Sequence, residues 1–372
     1  MTMIDQKPIL VMAGGTGGHV FPALAVAEHL RNQGETIIWL GTRAGIESTV
    51  VPAANFAIEW LNVQGLRGSG IATLVLAPFR IARACWQAQQ ILRRLRPKAV
   101  LGMGGFASGP GGLMAWILNI PLFLHEQNSV MGLTNRLLYR LATRNYFGFA
   151  KAANNIPRSE VIGNPVRADL IGLELPEIRF ALRGAGPYTS GQNRNLTLLV
   201  IGGSLGAASL NQKLPEAIAL LSKADRPQVK HQCGRKHSDT CQKNYDVNLV
   251  DAEVLPFIED MRAAYEWADI VVCRSGALTI AELAAVGIAS ILIPYPYASD
   301  NHQFHNACFL QSKNAARVIN ESDLTSESLA SLLTYFQNNR DELITMSVNA
   351  RAQATVDATE NLAKGILTGA TL

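Results

Sequence analysis

One local pattern opens the chain and returns near its middle, and this repetition constrains the fold more than any other feature. The apolar run Ile9–Ala13 leads into Gly-Gly-Thr-Gly-Gly at 14–18, and Leu198–Ile201 leads into Gly-Gly-Ser-Leu-Gly at 202–206. Each glycine turn carries one hydroxyl residue and precedes a stretch that predicts a helix. A buried strand, a glycine turn and a helix in this order are typical of a Rossmann-like domain. The chain therefore predicts two such domains.

Short apolar runs alternate with amphipathic stretches along most of the chain. This alternation predicts parallel sheets with helices on both faces, so the fold class is α/β. Between Gly163 and Asn195 glycine and proline are frequent, which indicates a connection between domains. A length of 372 residues also favours two domains. We expect them at 1–165 and 166–354, with their sheets facing each other across a cleft.

The element bounds follow from the same alternation. The predicted strands are Pro8–Ala13, Thr36–Gly41, Ala99–Gly102, Leu122–His125, Leu196–Ile201, Val229–Cys233, Ile270–Cys273 and Ser290–Ile293. The predicted helices are His19–Gln33, Ile71–Leu95, one around Gly111–Leu118, Ala208–Leu221, one around Ile258–Trp267, Ala277–Val286 and most of the chain from Ser326. A ligand site is expected at the carboxyl ends of the strands.

Composition excludes several classes of protein. Apolar residues make up 48% of the chain and charged residues 17%, which excludes a disordered or fibrous protein. The polar start at Met1–Lys7 predicts no signal peptide. The longest uncharged stretch, Ala99–Leu124, is interrupted by glycine and proline, so no transmembrane helix is expected. Five cysteines without a CxxC pair favour a reducing cytosol and argue against a disulfide framework or a zinc site.

Charge is divided unevenly along the chain. Residues 1–165 carry 15 Lys and Arg against 7 Asp and Glu, whereas residues 166–372 carry 18 against 22. The basic half predicts an anionic partner, which could be a nucleic acid, an acidic lipid surface or a phosphorylated substrate. The predicted helix Ile71–Leu95 mixes Val75 and Phe79 with several arginines, and Trp116 lies in a second apolar stretch. Such a surface can lie on an anionic bilayer, although an ordinary core helix has a similar composition.

The first glycine loop offers an anion site and a candidate base. Glycine lets the backbone approach a ligand, and the start of the following helix supplies unpaired N–H groups. The loop lacks the Walker pattern, and Val20 stands where a dinucleotide fingerprint needs its third glycine. His19 lies at the first turn of the helix, where the dipole disfavours imidazolium. A neutral imidazole there could act as a general base, or the histidine could simply pack against the loop.

Further polar and glycine-rich segments follow other predicted strands. The segment Gly102–Pro110 could wrap a phosphate with its N–H groups. His125-Glu126-Gln127-Asn128 follows a buried strand and should face the same site, unless Asn128 or Ser129 only caps a helix. His125 and Glu126 are therefore alternative candidates for the general base.

The second half repeats this logic. Ser204 could donate to a phosphate oxygen, and Arg274–Ala277 leads into another helix start. Glu282 could accept from a ribose diol, or it could be a surface residue of its helix. Asp300–Gln303 places polar residues after another strand, but no third ligand is spaced with Asp300 and His302, so no metal site is expected.

Eight motifs follow one another along the chain. They are GGTGGHVFPALA at Gly14–Ala25, GMGGFASGP at Gly102–Pro110, HEQN at His125–Asn128, GLTNR at Gly132–Arg136, GNPVR at Gly163–Arg167, GGSLGA at Gly202–Ala207, CRSGALTIAE at Cys273–Glu282 and DNHQ at Asp300–Gln303. Together they resemble the MurG family, the bacterial UDP-N-acetylglucosamine:undecaprenyl-diphosphate-muramoyl-pentapeptide N-acetylglucosaminyltransferases. Phe106 stands where the family commonly has tyrosine, and Leu205 where it usually has glutamine. Only the contacts of those two side chains are put in doubt.

The resemblance implies a GT-B fold and an inverting transfer of GlcNAc from UDP-GlcNAc to the 4-hydroxyl of lipid I, which gives lipid II for peptidoglycan. It implies His19 as catalytic residue, with Glu126 as a second candidate. The donor would contact Thr16, Gly17, Gly18, Asn128, Arg167, Ser204, Ile258, Ala277, Leu278, Thr279, Ile280, Ala281, Glu282 and Gln303. The acceptor would lie near Gly104, Gly105, His125 and Asn135. The final helix, from about residue 355, would return to the N-terminal domain.

The resemblance also implies partners and a location. The partners would be UDP-GlcNAc, lipid I, an anionic membrane surface and other cell-wall synthesis proteins, without nucleic acid, metal or cofactor. The location would be peripheral, at the cytoplasmic face of the bacterial inner membrane. Two other readings remain open, namely another GT-B enzyme such as a diacylglycerol glycosyltransferase or a UDP-GlcNAc 2-epimerase, and a non-catalytic nucleotide-sugar sensor.

Overall fold

The structure is a computed structural model that describes residues 7–62, 71–183, 194–203 and 206–370, with only the helix backbone described at 71–76. The chain forms two compact units. The first unit contains Met1–Arg167 and Thr355–Leu372, and the second contains Ala168–Ala354. The division lies after Arg167 rather than after Pro165, where the sequence analysis placed it.

The first unit is built on a seven-stranded sheet. Its strands are β1 (Ile9–Met12), β2 (Ile37–Thr42), β3 (Ala57–Leu61), β4 (Ala99–Gly102), β5 (Leu122–Glu126), β6 (Arg144–Phe147) and β7 (Ser159–Val161). They pair in parallel in the order β3-β2-β1-β4-β5-β6-β7. The residues of β1 and β4 are buried because helices cover both sheet faces, which explains their continuous apolar sequences.

Seven helices of the first unit surround this sheet in the described part of the chain. They are α1 (Gly17–Asn32), α2 (Glu47–Ala53), α3 (Ile71–Leu95), α4 (Ser108–Ile117), α5 (Leu133–Leu138), α6 (Ala150–Ala153) and, from the other end of the chain, α16 (Ala358–Gly369). The last helix packs into the same core as β1, through Leu362 and Ile366. Gly365 allows this approach, because a Cβ there would lie 2.0 Å from the Tyr146 hydroxyl oxygen.

The second unit repeats the architecture with six parallel strands. They are β8 (Thr197–Ile201), β9 (Gln228–Gln232), β10 (Glu253–Leu255), β11 (Ile270–Cys273), β12 (Ala289–Leu292) and β13 (Ala316–Val318), in the order β10-β9-β8-β11-β12-β13. The helices are α7 (Ala168–Ile171), α8 (Pro176–Leu182), α9 (Ala208–Ala219), α10 (Ser238–Val247), α11 (Met261–Trp267), α12 (Ala277–Val286), α13 (His302–Gln311), α14 (Ser326–Asn338) and α15 (Arg340–Arg351). Short 3₁₀ helices precede α13 and α14.

Several bounds differ from the expected ones for local reasons. The segment 163–195 is more than a connection, because α7 and α8 lie within it. The helix expected around Ile258 begins at Met261, because Asp260 caps it by accepting a hydrogen bond from the Ala263 N–H at 2.9 Å. Within the described ranges, no helix is both long enough and apolar enough to cross a bilayer.

Candidate functional site

The glycine loops lie where parallel strands end, and in the first unit two of them touch. β1 and β4 are neighbours, so the loops that follow them start side by side. The Met103 N–H donates to the Met12 carbonyl at 2.8 Å, and the Ser108 hydroxyl donates to the same oxygen at 3.0 Å. Gly105 has a φ of +85°, and a Cβ on it would lie 2.4 Å from the Gly14 oxygen. Only glycine allows this close approach.

His19 lies between these two loops. Its Nδ1 is 3.2 Å from the Gly14 oxygen, and its ring lies so close to Gly104 that a Cβ there would be 2.9 Å from Cδ2. A carbonyl oxygen only accepts hydrogen bonds, so this contact requires a proton on Nδ1 and makes Nε2 the basic nitrogen. The histidine therefore has the tautomer that a general base acting through Nε2 requires.

At the start of α1, the helix that carries His19, no side chain caps the N–H groups of the first turn. Thr16 is the N-cap of α1, its side chain forms no capping hydrogen bond, and the first turn contains no acidic residue. The N–H groups of Gly17 and Gly18 belong to the first turn, where an α-helix offers no internal acceptor. This end of α1 suits a polar ligand group that accepts hydrogen bonds.

A buried carboxylate that the sequence analysis missed holds the first loop. Glu47, at the start of α2, is fully buried. Its Oε2 accepts from the Gly15 N–H at 2.9 Å, and its Oε1 accepts from the N–H and hydroxyl of Thr42 at 3.0 and 2.8 Å. The sequence contains one signal for this role, because Glu47 is an acidic residue that comes shortly after β2, the strand beside β1. One N–H group of the glycine loop is therefore unavailable to a ligand.

His125 is a core residue, which corrects its expected place beside the acceptor. It is fully buried, and both ring nitrogens are engaged. Nε2 lies 2.9 Å from the Gly163 oxygen, and Nδ1 lies 3.1 Å from the Gln127 amide nitrogen. Burial lowers the pKa of His125 to about 4. A neutral, enclosed imidazole of this kind stabilises the fold and is poorly placed to take a proton from a substrate.

Glu126 and Asn135 also support structure instead of facing a ligand. Both are buried, and Asn135 donates to Glu126 Oε2 at 2.9 Å. The same oxygen accepts from the Gly132 N–H, while Oε1 accepts from the Asn128 N–H and side-chain amide at 3.0 and 3.2 Å. These bonds occupy the carboxylate of Glu126, so its expected role as a base does not fit the geometry. Asn128 is half-buried.

In the second unit, an amide clamps the loop after β8. The Gly203 N–H donates to Gln232 Oε1 at 3.1 Å, and Gln232 Nε2 donates to the Gly203 carbonyl at 2.9 Å. Gly203 has a φ of +81°, and a Cβ there would meet nothing within 4 Å. The backbone of Gly203 is therefore held on one side and has open space where a Cβ would lie. Ser204 and Leu205 lie outside the described residues.

The start of α12 is a candidate anion site of the second unit. Gly276 is its N-cap, no side chain caps the helix, and its first turn has no acidic residue. The expected donor contacts on α12 differ in how exposed they are. Ala277 and Ile280 are buried, whereas Leu278, Thr279 and Ala281 are half-buried. Backbone N–H groups are what a phosphate would contact at this helix start.

Two further donor candidates accept hydrogen bonds from tyrosine residues. Glu282 Oε2 accepts from the Tyr265 hydroxyl at 3.1 Å, and Gln303 Oε1 accepts from the Tyr295 N–H at 2.9 Å. Ile258 is buried and Arg167 is half-buried. The guanidinium of Arg274 is bound to the Ile293 carbonyl and to the Glu321 carboxylate, so it supports structure.

The described part of the chain contains no cluster of three His, Cys, Asp or Glu side chains that could hold a metal ion. Asp300 and His302, which lie two residues apart, do not form part of such a cluster.

Comparisons with known proteins cover nearly the whole chain. The model of the glycosyltransferase family 28 N-terminal domain matches residues 9–147, and that of the family 28 C-terminal domain matches residues 197–362. A protein of Chromohalobacter salexigens named UDP-N-acetylglucosamine–N-acetylmuramyl-(pentapeptide) pyrophosphoryl-undecaprenol N-acetylglucosamine transferase is 50% identical, over 99% of this chain and 98% of that protein. A relative of the same name from Aeromonas hydrophila is 48% identical over 96% of each chain.

Solved structures agree with this. MurG of Acinetobacter baumannii superposes with a TM-score of 0.79 and 37% identity, covering 97% of this chain and 99% of that one. UDP-GlcNAc 2-epimerase of Neisseria meningitidis, at 12% identity and a TM-score of 0.66 over 97% and 100% of the two chains, shares the fold alone. The chain has the two-domain α/β architecture of the GT-B fold and belongs to glycosyltransferase family 28, within the MurG family.

Proposed function

We propose that this chain transfers GlcNAc from UDP-GlcNAc to the 4-hydroxyl of the muramoyl sugar of lipid I, which yields lipid II for peptidoglycan synthesis. The observation that carries this proposal is the 50% identity, over 99% of the chain, with a relative whose name states this transfer. The reaction is a displacement at the anomeric carbon. The acceptor oxygen forms the new bond, the bond to UDP breaks, and UDP leaves with the electron pair.

His19 is the general base in this proposal. Its Nδ1 contact with Gly14 makes Nε2 the nitrogen that takes the proton of the 4-hydroxyl. The first turn of α1, next to His19, contains no acidic residue that would compete with a ligand for the N–H groups of that turn. Glu126 keeps the loop in shape through its bonds to Gly132 and Asn135.

The second unit binds the donor. The start of α12 offers N–H groups to the diphosphate, and together with Ser204 it stabilises the charge that develops on UDP. Glu282 accepts from the ribose hydroxyls, Ile258 meets uracil through its backbone, and Gln303 contacts the sugar. Arg167, Thr16, Gly17, Gly18 and Asn128 are further donor contacts in this proposal.

The acceptor diphosphate lies against the first unit, at the loop that contains Gly104 and Gly105. The helix that follows, α4, begins without a side-chain cap and has no acidic residue in its first turn. This end therefore favours an anion. The buried charge of Glu47 makes the Gly14–Gly18 loop a less favourable place for a phosphate.

The first unit binds an anionic membrane surface. Apolar side chains are exposed on α3, α4 and α5, namely Phe79, Ile81, Trp86, Trp116, Ile117, Leu133 and Leu137. These helices pack side by side. Exposed arginines on the same helices, such as Arg83 and Arg136, supply the charge for acidic headgroups. The side chain of Val75 lies outside the described residues.

In this proposal the enzyme lies peripherally at the cytoplasmic face of the bacterial inner membrane, where lipid I presents its headgroup, and the exposed apolar and basic surface supports this. Other cell-wall synthesis proteins are its expected neighbours there.

The decisive test is UDP release. Purified protein with UDP-GlcNAc should release UDP only when lipid I is added, and the lipid product should gain one GlcNAc. Release with diacylglycerol would indicate the other lipid glycosyltransferase. Conversion of UDP-GlcNAc to its 2-epimer without a lipid would indicate an epimerase, and binding without turnover would indicate a sensor.

A further inference from the structure

A single peptide group links the buried carboxylate of Glu47 to the imidazole of His19. This peptide joins Gly14 to Gly15. Its N–H donates to Glu47 Oε2 at 2.9 Å, and its carbonyl oxygen accepts from His19 Nδ1 at 3.2 Å. Because a peptide group is planar and rigid, a rotation that breaks one contact also moves the other.

The surroundings of Glu47 are shaped to hold its carboxylate against this peptide. The side chain is fully buried, and Thr42 binds Oε1 through both its N–H and its hydroxyl. Glycine is required on both sides, because a Cβ on Gly45 would lie 1.9 Å from Oε2 and a Cβ on Gly14 would lie 2.5 Å from Oε1. The carboxylate is therefore fixed by geometry as well as by charge-assisted hydrogen bonds.

The opposite end of the peptide is enclosed as well. Gly105 packs against the Gly14 carbonyl so closely that a Cβ on it would lie 2.4 Å from the oxygen. The Ser108 hydroxyl holds the second loop in place by donating to the Gly104 carbonyl at 2.8 Å. The Gly14–Gly15 peptide thus has little freedom to turn.

We propose that Glu47 is a positioning residue for His19, acting through the Gly14–Gly15 peptide. It keeps the Gly14 carbonyl aimed at Nδ1, so that Nδ1 holds the proton and Nε2 is the basic nitrogen. Its negative charge at the N–H end also polarises the peptide and strengthens the carbonyl as an acceptor. The imidazolium that forms when Nε2 takes a proton is stabilised by that stronger acceptor. The catalytic part of this role rests on the proposed function.

Glu47→Gln tests the positioning role through turnover. The amide has one acceptor oxygen in place of two, so it cannot accept from both Gly15 and Thr42. We expect kcat to fall about 10- to 100-fold, less than the loss of a general base itself, about 10²- to 10⁴-fold. The KM for UDP-GlcNAc should stay unchanged. Thr42→Val is the graded variant, because it removes only the hydroxyl that donates to Oε1 and leaves the Thr42 N–H and Gly15 contacts in place. Its kcat should therefore fall much less than that of Glu47→Gln.

The tautomer of His19 gives a readout that does not depend on turnover. ¹⁵N NMR of the imidazole, at a pH where the ring is neutral, should show the Nδ1–H form in the wild type and in Thr42→Val, and a mixture of tautomers in Glu47→Gln. A wild-type ring protonated on Nε2 would overturn the proposal, and so would a Glu47→Gln variant with wild-type tautomer and kcat. If Glu47→Gln does not fold, Glu47→Asp, which keeps the charge but is one methylene shorter, should show the same mixture.

The two proposals fail in different ways. If His19→Ala keeps normal turnover while Glu47→Gln changes the tautomer, His19 is not the base but Glu47 still positions it. If His19→Ala loses turnover while Glu47→Gln keeps both the tautomer and kcat, the base is correct and the positioning role is wrong.

Discussion

The glycine loops after β1 and β8 are held by different groups, although each has the same place in its sheet. β2 lies beside β1, and β9 lies beside β8. In the first unit the carboxylate of Glu47, just after β2, accepts from the Gly15 N–H. In the second unit the amide of Gln232, at the end of β9, exchanges two hydrogen bonds with Gly203. One clamp is an acidic side chain and the other is neutral.

This difference matches the chemistry proposed for each loop. The carboxylate of Glu47, one peptide group away from His19, favours the imidazolium that proton transfer would create. The same anion would oppose a phosphate, since two like charges 4 Å apart repel by about 4 kcal/mol at an effective dielectric constant of 20. A neutral amide adds no such repulsion, so the loop of the second unit is the better neighbour for a diphosphate. The charge of each clamp thus suits the role proposed for its own loop.

The largest effect should come from removing the base. His19→Ala should lower kcat about 10²- to 10⁴-fold and leave UDP-GlcNAc affinity nearly unchanged. His29→Ala, at the far end of the same helix, is the matched control and should keep normal turnover. Steady-state kinetics with lipid I would measure both. A near-normal kcat for His19→Ala would show that His19 is not the general base. The difference in charge between the two clamps would then have no link to proton transfer.

Glu282→Ala should weaken UDP binding by about 1–3 kcal/mol, because a charged acceptor for the ribose hydroxyls is lost. Tyr265→Phe separates this role from packing, since it removes only the hydroxyl that donates to Glu282. Its UDP affinity should change much less. Titration calorimetry with UDP, with and without EDTA, is the measurement. Equal losses in the two variants would mean that Glu282 acts through the fold.

Phe79→Ser with Arg80→Ser should weaken binding to anionic vesicles about tenfold, since each basic residue at such a surface contributes about 1 kcal/mol and an apolar anchor is also lost. Leu249→Ser, which changes an exposed apolar residue of the second unit, is the control and should bind normally. Sedimentation with vesicles at low and high salt would measure both. Equal partitioning onto neutral vesicles would contradict an electrostatic surface on the first unit.

Gln232→Leu tests the neutral clamp directly and should have the smallest effect. Loss of its two hydrogen bonds to Gly203 should weaken UDP binding by about 1 kcal/mol, because the loop is less well ordered. The kcat at saturating UDP-GlcNAc should not change. Gln228→Leu, an exposed position on the same strand, should bind UDP normally. A loss of kcat without a loss of affinity would show that both clamps serve the chemical step.

Much of the fold could be predicted because central strands and long helices have strong local patterns. β4, β11, α3 and α12 have the bounds that the sequence indicates. The strands at the sheet edges could not be predicted. β7, with the sequence Ser-Glu-Val, is exposed along its whole length and has no apolar run, so only its pairing with β6 makes it a strand.

The candidate site was harder to predict than the fold, because polar residues after a strand can face either way. In sequence, His125 and Glu126 cannot be told apart from polar residues that follow a strand and face a ligand. The structure encloses them, because Gly163 supplies a partner for one and Asn135 for the other. A buried polar side chain needs such partners, and their distance along the chain hides them from sequence patterns.

The sequence by itself determined the two α/β halves, their glycine loops and the family, because apolar periodicity, glycine turns and contiguous motifs are local properties. Only the tertiary structure decided which polar groups form hydrogen bonds within the protein and which remain available to a ligand. Glu47 and Gly15 are 32 residues apart, and Gly203 and Gln232 are 29 apart. Parallel pairing of neighbouring strands brings these residues together, and that pairing is set by the packing of the whole sheet.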